Sequence, residues 1–129
     1  MKTNVDLIKK FYSSFKAQDK QHLQLCDDGI EWTVMESMPN GGTYVGKKAV
    51  FEEYFPNLFS AFAEFHAITE EFLSVGDRVI VFGKYQVMAK KSKKKFESPF
   101  AHVYTIKNGR IAKFVQYTDT AKIQRAARS

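Results

Sequence analysis

Hydrophobic positions recur along this chain with two periods, and the switch between them separates a helical first half from a strand-rich second half. Val5, Ile8, Phe11, Tyr12 and Phe15 return at helical spacing and predict an amphipathic helix. Thr3 stands where its N-cap belongs, and Asp6, three residues on, faces the free N–H groups. Gln18 and Asp19 break the pattern. A short second helix with Leu23, Leu25 and Cys26 inward is expected next, ended by Asp27-Asp28-Gly29. Residues 30–37 alternate like a strand, with Trp32, Val34 and Glu36 on one face and Glu31, Thr33, Met35 and Ser37 on the other. Pro39-Asn40-Gly41-Gly42 has loop chemistry. After Gly46 the stripe Phe51, Phe55, Leu58, Phe59 and Phe62 predicts a third helix. Pro56 should kink or break it, because proline removes a donor and crowds the preceding turn.

From there the period is two. Strands are predicted over 66–75, 78–89, 97–106 and 111–118. Gly76-Asp77 suits a tight turn between the first two, a lysine-rich tip turns the next pair, and Asn108-Gly109 is a strong hairpin signal because both residues tolerate positive φ. The tail, 121–129, is weakly helical in pattern. The order α-α-β-α-β-β-β-β is an α+β arrangement, not alternating βαβ units. With no linker or repeat in 129 residues, a single domain over 1–129 is expected. Its strongly curved, mostly antiparallel sheet would wrap over the helices of the N-terminal half and leave an apolar pocket at the open end.

Composition sharpens that picture. Aromatic residues make up 15% of the chain, with twelve Phe, so the rings either fill a large core or line an apolar cavity. The net charge of +6 is local, since Lys90, Lys91, Lys93, Lys94 and Lys95 crowd one tip. Such a run reads first as a solvated loop, and contact with nucleic acid or an anionic ligand is the sharper alternative. Cys26 is the only cysteine, so no intrachain disulfide can form, which fits a reducing cytoplasm. The N-terminal residues lack an apolar signal core, and no apolar run approaches the roughly 20 residues that span a bilayer. A soluble cytoplasmic protein without membrane contact is expected.

Several local patterns, in order, resemble one known group. They are Phe11-Tyr12-x-x-Phe15 followed by Asp19, Trp32 on the first strand, Gly42-Thr43-Tyr44-Val45-Gly46 before the third helix, and Gly76-Asp77-Arg78-Val79 at a strand turn. His102-Val103-Tyr104, Asn108-Gly109-Arg110-Ile111 and Gln116-Tyr117-Thr118-Asp119-Thr120 complete the set. Together the chain resembles the SnoaL-like, ketosteroid-isomerase-related branch of the nuclear-transport-factor-2-like superfold. That resemblance implies a cone-shaped α+β barrel, and it covers nearly the whole chain. The isomerase positions themselves fall on Phe11, Ser37 and Ala101, with Tyr12 and Glu36 adjacent to two of them, so steroid isomerisation by that mechanism is disfavoured. Polyketide cyclases of the group match better, and by that resemblance Asp119 would move a proton beside a carbonyl while His102 positions the carbonyl oxygen. If Glu36 faces inward with Trp32, burial would raise its pKa and it too could act as a base.

The facing of the last two strands stays open. On a regular ladder closed by Asn108-Gly109, His102 faces Val115 and shares a sheet face with Asp119. The isomerase alignment instead turns Ala101, Phe114, Gln116 and Thr118 inward and sends His102, Tyr104, Val115 and Tyr117 outward. A bulge would alter either arrangement. Tyr12, Trp32, Tyr54, Phe59, Tyr85, Phe100, Phe114 and Gln116 are the candidate pocket residues. His22 and His66 lack partners at metal-ligand spacing, so no metal is expected. No phosphate-binding glycine loop follows a strand, and no cofactor is implied. Three functions remain: a cofactor-free isomerase, cyclase or lyase acting on a small apolar carbonyl compound, a non-catalytic binder of such a molecule, or an interaction module. A homodimer through the outer sheet face, carried by Val115, Tyr117 and Tyr104, is compatible with all three. Nucleic acid is disfavoured as a partner.

Overall fold

The computed structural model describes residues 3–128. α1, Asn4–Ala17, begins at a complete capping box: the Asp6 N–H donates to Thr3 Oγ1 and the Thr3 N–H donates to Asp6 Oδ2, both at 3.1 Å. α2, Gln21–Gln24, is a single turn. β1, Cys26–Val34, then starts earlier than the alternation suggested. Asp27-Asp28-Gly29 does not end a helix; it lies in β1, where Cys26 pairs Ile111 but Glu31 pairs Lys113. The surplus residues bulge out, and all three are exposed. The loop expected before Gly46 contains a short strand, β2, Gly42–Val45, antiparallel to β1.

The third helical segment changes form just before Pro56, which lacks an N–H and stands in the first turn of the α-helix that follows. Wide π-helical turns over Lys48–Tyr54, in which the Phe55 N–H reaches back to the Val50 carbonyl, lead into α3, Phe55–Ser60. Phe62 is not on that helix; it opens β3, Phe62–Val75, whose fourteen residues exceed the predicted strand. β4, Arg78–Ala89, β5, Lys95–Lys107, and β6, Arg110–Thr118, follow as expected. Asn108 and Gly109 take the positive φ values, 52° and 73°, of their hairpin turn. The tail forms α4, Thr120–Arg128, which buries Ile123 and Ala126 against the ends of β4 and β5; Ser129 lies outside the described residues.

The six strands make one mixed sheet in the order β2-β1-β6-β5-β4-β3, with β1 and β6 parallel and every other pair antiparallel. It curls without closing into a cone, and its inner face packs on α1 and α3. The parity of the last hairpin is settled by a bulge. Thr105 pairs Lys113 while Ile106 pairs Ile111, so β6 carries one extra residue, Ala112. His102 consequently faces Gln116, not Val115. Phe100, His102, Tyr104, Phe114 and Gln116 all point inward, and Ala101, Val103, Val115 and Tyr117 point outward.

The curl needs close backbone approach at one place. A Cβ on Gly83 of β4 would lie 2.0 Å from the Ile68 carbonyl oxygen and 2.7 Å from Phe100 Cζ. Just beyond it β3 bulges between Thr69 and Glu71. Gly83→Ala is therefore expected to destabilise the fold by about 2 kcal/mol, the scale of overpacking a filled interior. Urea titration should show a lowered midpoint with unchanged slope.

Candidate functional site

Between the helices and the inner sheet lies a cavity of about 1070 Å³. Phe11, Tyr12 and Phe15 of α1 form one wall, and Phe55, Leu58 and Phe59 of α3 another. β3 contributes Phe65 and Phe72. Trp32, Tyr85, His102, Tyr104 and Phe114 make the floor. The rings lock one another. Trp32 stacks on Phe114 at 3.7 Å, and Phe11 meets Tyr12, Phe15, Trp32, Phe51 and Tyr104 at centroid distances of 6.0–6.4 Å.

One polar cluster is set into this apolar floor. The Tyr12 hydroxyl lies 2.5 Å from His102 Nδ1, and the Tyr85 hydroxyl lies 2.5 Å from His102 Nε2. Each tyrosine is backed by a fixed donor: Tyr104 donates its hydroxyl proton to Tyr12 at 2.8 Å, and Gln116 Nε2 donates to the Tyr85 oxygen at 2.8 Å. Phe100 stacks flat on the imidazole at 3.9 Å. Four elements thus converge on one ring: α1 brings Tyr12, β4 Tyr85, β5 His102 and Tyr104, and β6 Gln116.

Burial sets the charge state of every member. Desolvation pushes the His102 imidazole down from its ordinary 6.5 to about 3, so it is neutral at physiological pH. The same loss of water raises the phenols of Tyr12, Tyr85 and Tyr104 well above their ordinary value, so all three keep their protons. A neutral imidazole has one N–H and one lone pair. If Nδ1 carries the proton, it donates to Tyr12, Tyr85 donates to Nε2, and the Tyr12 hydroxyl proton is left to face the cavity. If Nε2 carries it, Tyr12 donates to Nδ1, Nε2 donates to Tyr85, and the surplus proton is on Tyr85. Both arrangements satisfy the ring, and each offers exposed cavity space a single hydroxyl donor.

Of the residues singled out in the sequence, Tyr12, Trp32, Tyr54, Phe59, Tyr85, Phe114 and His102 line the cavity. Phe100 and Gln116 stand immediately behind it, against His102 and Tyr85. Two carboxylates are placed elsewhere. Asp119 is exposed between β6 and α4, where its Oδ1 accepts the Lys122 N–H at 3.4 Å as a helix cap. Glu36 is exposed in a turn, because β1 ends at Val34 before the alternation could carry Glu36 inward with Trp32. Tyr104, assigned above to an outer contact, is buried in the cluster. Its position two residues from His102 on one strand was the available signal; the bulge in β6 hid it. Gln116 Oε1 is buried without a hydrogen-bond partner among the described residues. No three His, Cys, Asp or Glu side chains there gather to hold a metal ion, and no helix is long and apolar enough to cross a membrane.

A family model described as a SnoaL-like domain matches residues 8–114. Among solved structures, a nuclear-transport-factor-2-like protein of unknown function from Burkholderia pseudomallei superposes with a TM-score of 0.90 at 26% identity, covering 100% of both chains. A second such protein, from Burkholderia thailandensis, gives a TM-score of 0.90 at 28% identity over 98% of each chain. TerC, co-crystallised with polyporic acid, gives a TM-score of 0.89 at 25% identity over 98% of each chain. No curated protein sequence matches.

A neutral buried histidine has a measurable signature. Below pH 6.5 the unfolded chain takes up a proton that folded His102 refuses until about pH 3, so stability falls as pH falls through that window. His102→Gln keeps one donor and one acceptor but does not titrate. Wild type should lose about 1.4 kcal/mol per pH unit more than the variant across this range. Urea denaturation at neutral and mildly acidic pH measures the difference. His22, also lowered by desolvation, is common to both proteins and cancels.

Proposed function

The chain belongs to the SnoaL-like domain family, and from that premise we propose that it is a cofactor-free acid–base enzyme of the isomerase, cyclase or lyase type, acting on a small apolar carbonyl compound. The observation that carries this reading is the Tyr12–His102–Tyr85 line on the cavity floor, with a tyrosine hydroxyl on each ring nitrogen. Such a line can move a proton across a ligand without charging the protein. Tyr12 gives its proton to a ligand oxygen and is refilled from Nδ1. Tyr85 passes its proton to Nε2 and takes one from the ligand. Atoms and charge balance, and the histidine ends in its other tautomer; water entering the open cavity can reset it. A neutral imidazole and protonated phenols are the states this exchange uses, and burial enforces both. The co-crystallisation of TerC with polyporic acid, an aryl-substituted hydroxyquinone, supports an aromatic carbonyl compound as ligand.

Exchange of the proton next to a ketone for solvent deuterium, followed by NMR over a panel of enolisable aryl ketones, tests this. Wild type should exceed the buffer rate, and His102→Gln should lower the rate by about 100-fold or more. Quenching of Trp32 fluorescence should show ligand binding largely retained in that variant. Binding without any exchange in the wild type would replace the enzyme reading with the non-catalytic binder.

The outer sheet face favours a second copy of this chain as partner. Ile80, Val103 and Val115 form a cross-strand row there, with Phe82 (39% exposed) and Tyr117 (51% exposed) beside it. Val103→Glu should shift a dimer to monomer in sedimentation velocity, and a monomeric wild type would exclude the arrangement.

A further inference from the structure

We propose that this cavity selects anionic ligands, an aromatic body carrying a carboxylate or other acidic oxygen that lies at the mouth between Lys9 and Lys16. This rests on the reading of the cavity as a site for an apolar carbonyl compound and specifies what the other end of that compound carries.

The cavity lining contains no Asp and no Glu. Its only lysines are Lys9 and Lys16, both exposed, both on α1. Seven residues apart with Ser13 between them, they stand on one face of the helix, along the rim. Lys9 Nζ sits 5.3 Å over the ring of Phe72, which also lines the cavity, so the cation is held against the lining. Among the described residues neither lysine is in an ion pair; the pairs join Lys47 to Asp28, Lys84 to Glu97 and Lys113 to Glu31. Asp6, three residues before Lys9, is held in the Thr3 capping box and feels the Lys9 charge from there without pairing with it.

The floor has the same preference. Its cluster presents one surplus hydroxyl donor to the cavity, so it suits an oxygen acceptor. A ligand with an acceptor at its inner end and a negative group at its outer end meets a donor and two cations. An uncharged ligand gains only the apolar contacts and the inner hydrogen bond. A cationic ligand finds no carboxylate on the lining. Because the lysines are exposed, their attraction is modest and screened by salt.

Three aryl ketones separate these cases: 4-benzoylbenzoate, 4-benzoylbenzamide and (4-benzoylbenzyl)trimethylammonium share a ring system and differ in charge. Trp32 is the only tryptophan of the chain and lines the cavity, so its fluorescence reports occupancy. The carboxylate should bind about fivefold or more tightly than the amide at low salt, and the gap should narrow as salt rises. The double variant Lys9→Gln/Lys16→Gln should erase the gap and leave amide affinity unchanged. Equal affinity for carboxylate and amide, or tighter binding of the ammonium compound, overturns the proposal while the cavity reading stands. Failure of all three ketones to quench Trp32 overturns both.

Discussion

The site depends on one constraint: an imidazole buried with no counter-charge. In most enzyme sites built on histidine a carboxylate fixes the tautomer and favours the imidazolium. Here Phe100 lies flat on the ring and both nitrogens face phenols, so desolvation alone acts and the ring stays neutral. Neutrality in turn dictates the partners. A ring with one donor and one acceptor is satisfied only by groups able to take either part, and tyrosine hydroxyls can. Tyr104 and Gln116, each donating from behind, leave those hydroxyls no other freedom than the direction of the proton toward His102 or toward the cavity.

The surrounding architecture keeps this arrangement buried. The π-helical turns before Pro56 and the ring lattice on Phe11 bring α1 and α3 close to the sheet. Gly83 lets β3 press on β4 so that the curved sheet brings Tyr85 and His102 under Tyr12. The apolar wall therefore does two jobs. It supplies the contact area for a ligand, and by burying the polar cluster it sets the protonation states on which the chemistry rests.

Much of the fold was legible in the sequence. Thr3 and Asp6 announced the first helix and Asn108-Gly109 announced the last hairpin, because each signal is local and has a direct steric or hydrogen-bonding cause; the ring-rich composition fitted a filled core as well as a cavity. Three features were not legible. Alternation carried Glu36 inward on paper, but nothing in residues 30–37 marked the end of β1 at Val34. The resemblance gave Asp119 a proton-transfer role, but it is exposed and its bond to the Lys122 N–H makes it a helix cap, which a strand-end position alone does not announce. The facing of His102 depended on a bulge, and a bulge is a property of two paired strands, so neither strand alone encodes it. Tyr104 was misplaced for the same reason.

That bulge also bears on how such barrels can diverge. Up to Ile106 and Ile111 the hairpin is regular; beyond Ala112 the pairing resumes with Lys113 opposite Thr105. Ala112 is therefore slack in the chain. Losing it would leave Phe114 opposite Tyr104 and Gln116 opposite His102, with the hairpin merely straightened. A gain of one residue between Lys113 and Val115 would exchange the inner and outer sets from that point, putting Val115 where Gln116 stands, and a loss there would put Tyr117 in that place. Length changes a few residues apart on one strand thus have opposite outcomes, one silent and one rewriting the cavity floor. A lineage could acquire a new interior from a single-codon indel while every strand of the cone stayed in place.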